Sequence, residues 1–80
     1  MYSEGRPIKV IVCFEKGFFF PIYFVLNDRK IRIEKVVYVW KERRGDYRVY
    51  KFSVRASRNI HILEYKEFDK QWYYHESQYW

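Results

Sequence analysis

From Ile8 to His75 apolar and polar residues alternate with a period of two, in short runs separated by turn-forming residues. That is the pattern of half-buried β-strands. IKVIVCF (8–14) places Ile8, Val10, Val12 and Phe14 on one side. FFPIYFVL follows after the glycine of EKGF, and NDR (27–29) marks the next turn. Pro21 cannot donate a ladder hydrogen bond, so its strand must be an edge there or carry a bulge. The alternation changes phase between Ile33 and Val36, which predicts a bulge or bend near Glu34 and Lys35. IHILEY (60–65) and WYYH (72–75) complete the set.

The fold expected is all-β: about six antiparallel strands in a meander, forming a small partly open barrel or strongly twisted sheet. Eighty residues support one core, so residues 1–80 are read as a single domain. Cys13 is alone and forms no internal disulfide, which makes a reducing, cytoplasmic setting the expectation. The start lacks an apolar secretory core and no run reaches the roughly 18 apolar residues of a membrane helix, so no membrane span is expected.

Hairpin loops set which residues oppose each other. With Arg43–Asp46 as a four-residue loop, Lys41 faces Arg48, Tyr38 faces Lys51 and Val37 faces Phe52. A loop at Ser57–Ile60 sets Lys51 opposite Lys66 and Phe52 opposite Tyr65. A two-residue Asp69–Lys70 turn sets Lys66 opposite Tyr73. The inner face is then Val37, Val39, Tyr50, Phe52, Val54, Ala56, Leu63, Tyr65, Trp72 and Tyr74. Tyr38, Lys51, Lys66 and Tyr73 share an outer row, flanked by Trp40 and Val49. Two directly opposed lysines cost stability unless an anion or bound partner sits near them, which makes this row the candidate site.

Chemistry of other kinds finds little support. Cys13, His61 and His75 lack the spacing of a metal motif, so no metal or cofactor is expected and Cys13 reads as a buried structural thiol. The carboxylates at 64, 67, 69 and 76 read as solubilising groups on the last hairpin rather than a general acid and base pair, and burial of Cys13 in an apolar strand would dull it as a nucleophile. The chain is therefore read as not an enzyme. The RGD at 44–46 is needed for a hairpin and carries no weight.

Residues 1–58 hold 14 basic and 6 acidic side chains, net +8, and residues 59–80 hold 2 and 4, net −2. Lys51, Lys66 and Arg55 would meet phosphates, while Tyr38, Trp40 and Tyr73 would stack on bases. The alternative is a protein-interaction or scaffolding module, a homodimer among its forms. It rests on the aromatic patch of Tyr38, Trp40, Val49, Phe68 and Tyr73 and on Phe18–Phe20, a run too large to bury alone.

The elements IKVIVCFEKG, FVLNDRKIRIEKVVYVW, YRVYKFSVRA and ILEYKEFDKQWYYH resemble a family of small uncharacterised bacterial all-β proteins. Phe14, Gly17, Phe24, Val36, Trp40, Tyr50, Val54, Glu64, Tyr65 and Trp72 carry the resemblance. Association of some such relatives with DNA-repair polymerases implies a nucleic-acid setting. It implies no catalytic residue, and FFFPIYF departs from the more polar second strand of those relatives.

Overall fold

The computed structural model describes residues 5–75. Seven antiparallel strands run β1 (Arg6–Glu15), β2 (Phe18–Leu26), β3 (Arg29–Arg32), β4 (Lys35–Arg44), β5 (Tyr47–Ala56), β6 (Asn59–Lys66) and β7 (Gln71–His75). They form one curled sheet in the order β3-β2-β1-β7-β6-β5-β4, a partly open barrel. No described helix is long and apolar enough to cross a membrane.

Seven strands replace six because β3 and β4 are one run of alternation bent at Ile33 and Glu34. Here the chain changes partner. The Ile33 N–H donates to the Ile22 carbonyl of β2, and the Glu34 N–H donates to the Arg55 carbonyl of β5. Strand β1 does the same, pairing Arg6–Ile8 with β7 and Lys9–Glu15 with β2. These two handovers curl the meander. Pro21 sits beside the bulge that Ile22 makes in β2, where pairing steps from Ile11–Tyr23 to Val12–Pro21. The residue without an N–H therefore lies where the ladder is already broken.

The hairpins are tighter than the sequence reading assumed. Ser57 (φ 50°) and Arg58 (φ 67°) are both left-handed, as are Asn27 (φ 53°) and Asp28 (φ 64°), which is the backbone of two-residue turns. Gly45 (φ 62°) opens a third, so Arg43–Asp46 contracts to Gly45–Asp46. The last loop lengthens instead, to four residues. Asp69 Oδ1 accepts the Gln71 N–H at 3.1 Å, Lys70 takes φ 54°, and Lys66 faces Gln71. Each register thus moves by two residues from expectation. Phe52 faces Leu63, Tyr65 faces Trp72 and Val39 faces Phe52.

A shift of two preserves faces, so the core row survives. Phe52, Val54, Ala56 and Leu63 are fully buried, with Trp72 and Tyr74 nearly so and Phe24 of β2 opposite them. Val37 is the correction. It is the bulged residue between Val36–Val54 and Tyr38–Ser53, it is 49% exposed, and Val36 takes its inward place. Phe18, Phe19 and Phe20 pack against this core rather than forming a separate surface. The Phe19 ring lies 5.3 Å from Tyr50, 5.7 Å from Phe52, 5.5 Å from Tyr65 and 6.1 Å from Trp72, joining β2 to three strands across the barrel. Cys13, paired with Phe20, is half-buried rather than buried.

Phe52→Ala should cost about 3 to 5 kcal/mol, a large fraction of what a domain this size holds. Val37→Ala should stay within about 0.5 kcal/mol because its side chain packs on nothing in the core. Urea denaturation of both variants checks this, and a Val37 cost equal to that of Phe52 would contradict the bulge.

Candidate nucleic-acid interface

On the outer face of β4–β7 the two-residue turn after Ala56 sets Lys51 opposite Glu64, not Lys66. Pairs bonded to each other across this hairpin alternate outward from Ala56–Asn59, which makes Lys51–Glu64 a pair without mutual backbone bonds. Side chains approach most closely in such pairs. The expected clash of two lysines is thereby replaced by an ion pair.

Glu64 is the centre of that face, with only 1% of its side chain exposed. Its Oε1 accepts from His75 Nε2 at 2.9 Å. Its Oε2 lies 3.3 Å from Arg44 Nη2 and 4.0 Å from Lys51 Nζ. Glu42 completes the network, 3.1 Å from Arg44 and 3.4 Å from Lys51. Gly5 closes over the histidine so tightly that a Cβ there would come within 2.9 Å of Nε2. Burial pushes the Glu64 carboxyl up, but the His75 hydrogen bond and the charges of His75, Lys51 and Arg44 outweigh it and hold the carboxyl below the usual range. Glu42 follows the same balance, with Arg44 and Lys51 prevailing over desolvation. Glu64 is thus no solubilising group. Glu67 and Asp69 also have structural work, accepting the N–H groups of Arg48 and Gln71, and Glu76 lies outside the described residues.

The six candidate side chains share the outer face but fall into two sets. Lys51, Lys66 and Tyr73 are engaged within the fold. Lys51 is paired as above, Lys66 Nζ sits 4.5 Å over the Tyr73 ring, and the Tyr73 hydroxyl donates to Asp69. Tyr38 and Arg55 remain open, and Trp40 is half-buried. Tyr38 is 63% exposed, with its ring 5.5 Å from that of Trp40. Arg55 is exposed opposite exposed Lys35, and neither has a described carboxylate in ion-pair range. Val49 leaves the expected aromatic patch altogether: it is fully buried between Glu42 and Lys66. Phe68, 74% exposed, stands with Tyr47 at 5.2 Å.

The histidines lie on opposite faces. His61 points inward, its Nε2–H donating to the Ala56 carbonyl at 3.1 Å and its Nδ1 2.8 Å from the Tyr74 hydroxyl. Among the described residues no three His, Cys, Asp or Glu side chains gather to hold a metal ion. Comparison with family models, curated proteins and solved structures finds no match to this chain.

Because the folded Glu64 carboxyl is held below its ordinary range, its contribution to stability is complete above that range and is lost as pH falls through the depressed folded value. Glu64→Gln should cost about 1 to 3 kcal/mol near neutral pH by leaving Arg44 and Lys51 undercompensated. Its stability should then fall less steeply with acid than that of the parent. Urea midpoints across an acid pH series check this, and parallel curves would contradict it.

Proposed function

We propose that this chain is a non-enzymatic, nucleic-acid-associating domain, with Tyr38 and Trp40 as a stacking platform and Lys35 and Arg55 as phosphate contacts. The observation that carries the reading is the exposed Tyr38 ring packed against half-buried Trp40, on the same face as two cations that have no described carboxylate partner. Stacking on an aromatic ring contributes about 1 to 3 kcal/mol per base and tolerates any base. Each phosphate neutralised adds to the salt dependence of binding. The net charge of +6 supplies long-range attraction. Lys51 has no part in this contact, since Glu42 and Glu64 already neutralise it. The resemblance to small bacterial proteins, of which some look as though they accompany DNA-repair polymerases, is in keeping with this reading, and a cytoplasmic setting belongs to the same proposal.

A protein partner is the second reading, favoured by the exposed Val37 and Ile60 that flank the same region, at 49% and 39%. Salt separates the two. Fluorescence anisotropy with a labelled single-stranded oligonucleotide should show affinity falling steeply from about 50 to 200 mM salt. Lys35→Gln with Arg55→Gln should flatten the slope by about 2, and Tyr38→Ala should weaken binding about 5- to 100-fold at every salt concentration. Absent binding, or slopes unchanged in the double variant, would overturn the assignment.

A further inference from the structure

The bend at Ile33 and Glu34 has a second product. It brings the outer edge of β3 beside the turn that joins β5 to β6, leaving a shallow open groove of about 710 Å³ lined by Arg29, Lys30, Ile31, Arg32, Glu34 and Ser57. Three of the six are cations, all exposed, and none is within ion-pair distance of a described carboxylate, Glu34 included.

The backbone adds donors to these charges. In the β2–β3 hairpin, Ile33 donates to Ile22, so by antiparallel alternation Arg29, Ile31 and Ile33 direct their N–H groups toward β2. Lys30 and Arg32 therefore direct theirs away from it, to the edge on which no described strand pairs. Ile31 turns its side chain to the core opposite buried Phe24 and anchors the floor. Lys30 is steered by Tyr23, its Nζ 4.5 Å over the ring.

We propose that this groove binds a phosphate group, held by the Arg29 and Arg32 guanidiniums and by one edge-facing N–H group, of Lys30 or of Arg32, with the Ser57 hydroxyl on the opposite wall. Charge-assisted bonds from guanidinium and backbone N–H groups suit a tetrahedral oxyanion. On the function proposed above, that phosphate belongs to a nucleic-acid strand. Glu34 repels anions at one end, so the groove has a direction. From Glu34 the chain continues along β4 to Tyr38, a rise of about 13 Å at ~3.3 Å per residue before the bulge shortens it. A strand with a phosphate in the groove and a base on Tyr38 passes Lys35 and Arg55 between them.

Backbone amide NMR shifts, followed while titrating a single-stranded oligonucleotide and, separately, inorganic pyrophosphate, test the site. Both probes should move the Lys30, Arg32 and Ser57 amides more than those of Arg43 and Arg48 at the β4–β5 hairpin tip. Arg29→Gln with Arg32→Gln, both at exposed positions, should abolish those shifts and lower the oligonucleotide salt slope by about 2. Shifts spread evenly over every surface cation, or absent from these three amides with both probes, would overturn the groove. Oligonucleotide binding that survives the double variant with its slope intact would overturn the groove and leave the Tyr38 surface standing. Pyrophosphate shifts without any oligonucleotide binding would uphold the groove and overturn the nucleic-acid reading.

Discussion

Left-handed residues at the hairpin turns are the constraint on which the rest depends. Ser57 and Arg58 close β5 onto β6 in two residues, and that choice alone sets Lys51 against Glu64. With the acid opposite the lysine, a carboxylate can be buried on the outward side of a small sheet, because Arg44, Lys51 and His75 converge on it. A loop two residues longer would oppose two lysines and leave Glu64 beside Ser53. Burial of an unpaired carboxylate there would cost several kcal/mol.

The register also decides where the basic charge acts. A net charge of +6 says nothing about which cations can meet a ligand. Arg44 and Lys51 are spent on Glu42 and Glu64, so the outer face of β5 and β6 is internally balanced at its centre. Of the described cations outside that network, Arg43 and Arg48 oppose each other at the β4–β5 hairpin tip, while Arg29, Lys30 and Arg32 precede the bend at Ile33 and Glu34 and Lys35, opposite Arg55, follows it. Tyr38 follows Lys35 along β4. Fold and proposed surface thus share one cause, since the handover that curls the sheet also joins the cations of β3 to those at the start of β4.

Much of this is written in the alternation. All-β class, the barrel-like curl, the phase break at Glu34 and Lys35, the bulge beside Pro21 and the core row from Tyr50 to Tyr74 follow from the period of two and from proline chemistry. Errors of two residues in each hairpin left the faces intact, because side chains alternate with that same period. What was not legible depended on turn geometry. Ser57–Arg58 lacks the Asn-Gly or Asp-Gly signal of a two-residue turn, and Asp69 claims the Gln71 N–H in a way that spacing does not reveal. Glu64 consequently read as a surface acid. Val37 misled for a different reason: a bulge shifts parity by one, and Val36 and Val37 are chemically interchangeable. The groove was invisible because it joins residues 29–34 to Ser57 only through the bend; the alternating cations of RKIR after a turn were the available signal.

The opposition of Lys51 and Glu64 is the claim on which both the ion network and the placement of the open cations rest. Inter-strand proton NOEs between β5 and β6 measure it directly. A strong Hα–Hα NOE between Lys51 and Glu64, as expected for a pair without mutual backbone bonds, is the result the register requires. A strong Hα–Hα NOE between Lys51 and Lys66 in its place would contradict the account.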